Sequence, residues 1–367
     1  MTALPTRKLE AWRYTDLRAL AALSFADPPA EAAPGWLPDL GVPRLVFING
    51  VYDAARSTPP GFLEPFAVPV EGSVLPLALI NAEHARDGMT LNVPEGVDAG
   101  AVLLVSHGGG AKSPVAFHPR HRITVGKAAR LTLIEVATGQ GIYWHNPVTD
   151  IALHESASLS HYRLQDECDH AFQLATIRVT VAAQAAYEAF SLVTGAKLSR
   201  AEFHATLTGP NASVHLNAAQ LLGGEQLGDV TTVVCHEAPN GASRQTVKSV
   251  LSGHARGVFQ GRIEVARAAQ KTDGYQMNQA LLLSPTAEMD IKPELQIFAD
   301  DVKCSHGATI GALDPEQIFY LRSRGIPEAA ARALLIRAFL AEALEPVTHE
   351  ATRALFEAAI DAWWARQ

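Results

Sequence analysis

The sequence predicts a mainly β protein, a flattened parallel β-helix framed by an N-terminal mixed helical region and a C-terminal helical domain. Three observations carry this reading. Short alternating runs enriched in β-branched residues dominate from about Ala101 to Phe298. An alanine followed by one residue and then an apolar residue recurs at Ala129, Ala157, Ala185 and Ala212, at intervals of 28, 28 and 27 residues. Beyond Asp314 the alternation gives way to capped segments with apolar stripes at helical spacing.

The N-terminal region covers residues 1–98. Glu10 to Ala22 reads as a helix, with Trp12 and Leu20 among its apolar residues. A Pro- and Ala-rich stretch from Asp27 to Pro43 has the composition of a linker or irregular loop. Arg44-Leu-Val-Phe-Ile-Asn-Gly50 follows as a short strand with a turn signal behind it.

Residues 99–310 form the predicted β-helix. Leu131 to Val136, Ile177 to Val181 and Val258 to Val265 each alternate as strands do. Between successive alanine elements lies a second strand, such as Val148 to Leu153 or Leu174 to Val181. Each unit therefore holds two strands, a tight turn of small residues and a variable loop. Stacked coils put like on like, so Leu131, Leu159, Tyr187 and Val214 should form one inward column, each coil burying its apolar face on its neighbours. Four chance matches in an alanine-rich chain are the competing explanation. After Val214 the pattern fades, and Ala287-Glu-Met289 is its next clean instance.

Residues 311–367 are the predicted helical domain. Asp314 caps, Pro315 takes the first helical position and Gln317 the third. This helix stops near Gly325; a second starts at Pro327 and breaks at Pro346; a third runs from about His349 and carries Trp363 and Trp364.

Composition excludes several classes of function. The chain has 367 residues, 48% hydrophobic and 7% aromatic, with a net charge of −8 and interspersed signs, so no clustered basic footprint for nucleic acid is present. No apolar run reaches the ~18 residues of a membrane span, and Met1 to Leu9 lacks an apolar signal core, so a cytoplasmic location is expected. Three cysteines, Cys168, Cys235 and Cys304, are too few for a disulfide framework or a permanent iron–sulfur centre held by this chain alone. His107-Gly-Gly-Gly110 lacks a following Gly-Lys-Ser/Thr, so it reads as a turn and not as a phosphate loop.

Contiguous strings in the last third are more specific. Lys292 to Thr309, with Lys303-Cys-Ser-His306 inside it, and Asp314-Pro-Glu-Gln-Ile-Phe-Tyr-Leu-Arg-Ser-Arg-Gly-Ile326 resemble the SufB/SufD family of iron–sulfur cluster assembly proteins. Phe259 to Val265, Ala269 to Asp273, Gln276 to Leu283 and the opening Glu10-Ala-Trp-Arg-Tyr-Thr15 extend the similarity. It is dense over about residues 245–326 and weak between 30 and 100; the reading at Lys303 to His306 favours the SufD side of the family over SufB. The resemblance implies a right-handed parallel β-helix with helical domains at both ends. It implies pairing with SufB through the β-helix ends and docking of the SufC ATPase on the C-terminal helices. It further implies a non-enzymatic part in a complex that builds a cluster from sulfur supplied by a cysteine desulfurase.

Cys304 and His306 are the sharpest site candidates. Two apart on a strand, they share a face, and a thiolate beside an imidazole suits iron, zinc or a nascent cluster. Two ligands hold metal weakly, so a partner would have to complete the site; the alternative is a buried cysteine beside a structural histidine. The resemblance sets this pair at the SufB contact, with His306 the more essential, and leaves open whether it acts as ligand or proton donor. It also points to Asp314, Glu316, Gln317, Phe319, Tyr320, Arg322 and Arg324 as the SufC-docking surface; the equal alternative is that these residues only pack the helices on the end of the β-helix. Asp166-Glu-Cys-Asp-His170 reads as a solvated loop more readily than a metal loop, and Cys235 as a core or edge cysteine. Strict alternation would place His161 on the inner face, but a polar ring there is read instead as lying near a loop or satisfying a neighbour by hydrogen bonding. No stably bound cofactor is expected on this chain, only a transient cluster on the complex; whether that complex holds a flavin is left open. The competing functions are a stand-alone homodimeric metal binder, in which two copies of Cys304 and His306 supply four ligands, and a carbohydrate-active β-helix enzyme.

Overall fold

The computed structural model describes residues 2–29, 37–66 and 74–366. Two sheets, ten- and eleven-stranded, face each other along a parallel stack. The chain alternates between them, so strands from successive coils pair in parallel: Ser158–Glu167 on Arg130–Gly139, then Ala186–Val193 on Ser158–Glu167 in the first sheet. Phe172–Val181 and Leu198–Leu207 do the same in the second. This is the predicted parallel β-helix.

The inward column is in register as expected: Leu131 on Leu159, Leu159 on Tyr187, Tyr187 on Val214. All four belong to the main core, with the inward Ile123, Ile151, Ile177 and Phe203 of the second sheet facing them. Full burial of each such side chain contributes about 1.5–3 kcal/mol. The column does not stop there. It continues through Ser243 and Gly274 to Cys304. Ala287, read as the next instance of the repeat, instead follows Ala255 in the second sheet. The alanine position itself passes to Gly241 and Thr272, which is why the repeat fades in the sequence.

The tight turn has a physical cause. The residue before each small one, Ala128, Ser156, Gln184, Asn211, Asn240 and Lys271, has a φ between +55° and +60°. That left-handed step turns the chain into the next strand, and the small residue after it packs at the corner. Gly241 is required to be glycine there, because a Cβ would lie 2.7 Å from His236 Nδ1.

The N-terminal helix is broken where the sequence suggested one continuous segment. A 3-10 turn spans Glu10–Trp12 and α1 only Arg18–Ala21. Tertiary contacts override the helical pattern: Trp12 lies under the guanidinium of buried Arg200, 4.0 Å from ring centroid to carbon, and Thr15 bonds Asp229. Arg200 also donates to Glu202, Asp229 and the Ala11 carbonyl. The opening motif is thus a clamp onto the outer face of the second sheet. Of the Pro- and Ala-rich stretch, residues 30–36 lie outside the described residues. Arg44–Ile48 is the predicted strand; it turns at Asn49 and Gly50 and joins the stack by pairing with Leu103 to His107. Helix α2 (Pro76–His84) lies against Phe172–Val181.

Helices α3 (Pro315–Ser323), α4 (Glu328–Leu344) and α5 (Glu350–Ala365) follow the predicted boundaries. Asp314 caps α3 by accepting from the Glu316 N–H, and His349 caps α5. The last two helices cover the outer face of the first sheet and leave the end of the stack uncovered. Ile336, Leu340, Phe356, Ile360 and Trp363 pack on Tyr162, Leu164, Phe190, Leu192 and Val250. Lys248, buried beneath α4, pairs with Glu342 at 2.5 Å and lies 4.6 Å from the Phe339 ring centroid. Helix α3 buries none of its residues. Among the described residues, no helix is long and apolar enough to cross a membrane.

Candidate functional site

The C-terminal end of the stack is open. Lys303–Gly311 is the last strand of the first sheet and Glu288–Ile297 the last of the second. Each pairs on one side only among the described residues, so a row of backbone N–H and C=O groups faces outward. Pro293 in the second of these strands fits an edge, where its missing N–H interrupts no inner ladder.

Cys304 and His306 are both on this terminal strand, at alternate positions. Cys304 points into the lumen, packing with Ile263, Val265 and Leu295. Its half-buried thiol is pushed up, first by burial and then by nearby Asp273, against the lowering effect of the Gly274 backbone. His306 stacks on Gln276 and is exposed at the open end. The pair therefore sits at the rim, open to a neighbouring chain. Among the described residues no group of three His, Cys, Asp or Glu side chains is arranged to hold a metal ion. A metal or cluster touching this pair would need its other ligands from elsewhere.

The lumen under the rim was not singled out by sequence reasoning. Beneath His306 the inward column runs through Gln276 and Gln245 before returning to Leu216 and Ala189. Thr232 from the opposite wall donates to Gln245 at 2.5 Å, and His236 contacts Ser243 at 2.9 Å. The available signal was the alternation Gln276-Met-Asn278, polar at two successive inward positions of a strand.

The remaining candidates separate. Asp314, Glu316, Gln317, Phe319, Tyr320, Arg322 and Arg324 all lie exposed on and around α3. Phe319 is 74% exposed and Tyr320 57%. A groove of about 490 Å³ between α3 and α4 is lined by Asp314, Gln317, Tyr320, Leu321, Leu334 and Ala338, among others. Arg324 lies over the Tyr320 ring at 5.2 Å, and Arg322 pairs with Glu328 at 3.3 Å.

The Asp166 to His170 stretch does not gather as a site. Glu167 is buried and contacts His145 at 3.1 Å, whereas Asp169 and His170 are exposed. Cys235 faces Glu264 at 3.4 Å, and burial with that carboxylate pushes its thiol up to about 12, which keeps it protonated. His161 does take the inward position. It is fully buried, 2.8 Å from the Tyr187 hydroxyl and 3.2 Å from Glu135. Burial alone would raise the Glu135 carboxyl, but His161 and Arg163 hold it well below the usual range.

The sequence is similar to that of known proteins. Residues 107–339 match the family model described as SUF system FeS cluster assembly, SufBD core domain. An iron–sulfur cluster assembly SufBD family protein of Synechocystis sp. is 33% identical, over 94% of this chain and 84% of that protein. The iron–sulfur cluster assembly protein SufD of Escherichia coli is 34% identical, over 95% of this chain and 86% of its own length. The chloroplastic protein ABCI7 of Arabidopsis thaliana is 36% identical over 72% of this chain and 58% of that protein.

Proposed function

The chain belongs to the SufBD family of iron–sulfur cluster assembly proteins, and we propose that it serves there as a non-catalytic scaffold of the SufD kind. In this reading the open end of the stack pairs with a SufB-type β-helix, and Cys304 and His306 supply part of the ligand or proton-donor set for a cluster in transit. The exposed face of α3 docks a SufC-type ATPase, which supplies the nucleotide chemistry this chain has no phosphate loop to perform.

The observation that carries the reading is the incomplete rim: two strands, each with one free edge, frame a thiol and an imidazole, with no third donor gathered beside them among the described residues. Such edges favour strand addition, and the missing ligands are then the partner's to give. A second copy of this chain would fit the same edges, bringing two Cys304 and two His306 together.

The deciding experiment is reconstitution with SufB- and SufC-type partners, followed by cluster loading read from visible absorbance. His306→Ala should lower loading while the complex still assembles. Normal loading in that variant would overturn the proposed role. Stoichiometric metal in the purified chain alone, in a dimer that His306→Ala abolishes, would favour the homodimeric reading instead.

A further inference from the structure

The amide pair under the rim is not a packing solution. Gln276 and Asn278 are each 0% exposed. Neither the amide nitrogen nor the amide oxygen of either side chain has a hydrogen-bond partner among the described residues. A buried polar group left so forfeits about 1–3 kcal/mol, and native interiors rarely tolerate one, let alone four adjacent atoms. The sequence also makes room for them. Gly261 on the opposite wall faces Gln276, and a Cβ there would come within 3.1 Å of the Gln276 carboxamide carbon.

The rim imidazole is the polar group stacked on the open side of Gln276, as the Gln245 amide is on its inner side. His306 is paired in register with Gln276, one strand nearer the open end, and strands neighbour at about 4.8 Å. Asn278 lies two residues on, on the same inward face, beneath the small Ala308.

We propose that Gln276 is a positioning residue for His306. Both its amide atoms are unpaired among the described residues; turned toward the rim, its oxygen would accept the imidazole N–H and its N–H₂ would donate to the Asn278 side-chain oxygen, which would fix the orientation of the Gln276 carboxamide. Held so, one ring nitrogen keeps its proton toward the lumen and the other presents its lone pair to the open end. A histidine that ligates or exchanges a proton depends on such an outer partner to set its tautomer. The purpose of this arrangement rests on the role proposed above for His306; the hydrogen bond itself does not.

The test uses the full chain labelled with ¹⁵N-histidine, alone and in complex with the SufB-type partner. His306 signals are assigned by their loss in His306→Gln. One neutral tautomer should dominate in the parent chain and in Gln276→Glu, which keeps an acceptor oxygen. Gln276→Leu and Gln276→Met, two apolar replacements of different shape, should give the mixture of a free imidazole. An unchanged tautomer ratio in whichever of them folds would overturn the proposal. In the reconstituted complex these apolar variants should load clusters about tenfold more slowly with assembly intact, the lower end of what losing an outer partner costs. Unimpaired loading in them, where His306→Ala is impaired, would equally overturn it. If His306→Ala loads normally, the functional reading fails, and the tautomer ratio alone decides the role of Gln276.

Discussion

Gly274 lies directly beneath Cys304 in the stack, and a Cβ added to it would fall 3.3 Å from the Cys304 sulfur and 3.1 Å from Ile263 Cδ1. The column that carries Leu131, Leu159, Tyr187 and Val214 deeper in the stack is pared down to Ser243 and then Gly274 under the thiol. A larger residue at 274 must push the sulfur toward the open end. Gly274→Val should therefore make Cys304 react faster with a thiol reagent, at an overpacking penalty of about 1–3 kcal/mol. A rate equal to that of the parent chain would show that the sulfur does not depend on this contact.

Arg200 should be among the least replaceable charges in the chain. It is fully buried and holds Glu202, Asp229, the Ala11 carbonyl and the Trp12 ring together. Arg200→Ala leaves two buried carboxylates without their cation, which costs about 3–5 kcal/mol. Urea unfolding should show the loss, and limited proteolysis should cut first near Trp12, because the clamp is released there. Cleavage elsewhere first would assign Arg200 a purely local role.

Acid should destabilise the fold through buried imidazoles before it reaches the carboxylates. Burial pushes His121 and His236 down to about 4 from an ordinary 6.5. The unfolded chain therefore binds more protons than the fold as pH drops. The stability these two contribute is complete above about pH 6.5 and is lost as pH falls toward 4, by up to about 1.4 kcal/mol per pH unit for each. Denaturant midpoints measured between pH 7 and pH 4.5 should fall accordingly. His236→Gln should flatten the slope whatever it does to stability at pH 7; an unaltered slope would mean that this ring is not buried neutral.

The α3 surface should matter for binding and not for folding. Phe319 and Tyr320 are exposed, and α3 buries none of its residues. The double variant Phe319→Ala and Tyr320→Ala should keep the thermal midpoint within the small range typical of surface changes, about 0.5 kcal/mol. It should weaken capture of a SufC-type ATPase by tenfold or more if these rings are the anchors of the contact. Full-strength capture would move the docking surface elsewhere.

Some of this was legible without coordinates. The inward column from Leu131 to Val214 could be read because a parallel stack repeats its environment at fixed spacing, and similar environments select similar residues. The caps of α3 and α5 could be read because capping is local: Asp314 and His349 bond residues two and three positions away. The pairing of Cys304 with His306 on one face follows from strand alternation alone.

What the sequence could not decide was everything set by contacts between distant segments. The column appeared to end at Val214 because its last members, Ser243, Gly274 and Cys304, answer to the polar lumen and the open end and not to an apolar interior. Glu10 to Ala22 scans as one helix, yet Arg200, nearly two hundred residues away, holds Trp12 and Ala11 and divides it. Nor does any local rule reveal that α4 and α5 fold back over the outer face of the first sheet and leave the end of the stack free. Local spacing determined the coils and the caps, because periodicity and capping act over a few residues. Only packing between remote parts decided which edges stay unpaired, and with them where the thiol, the imidazole and the amides beneath them face.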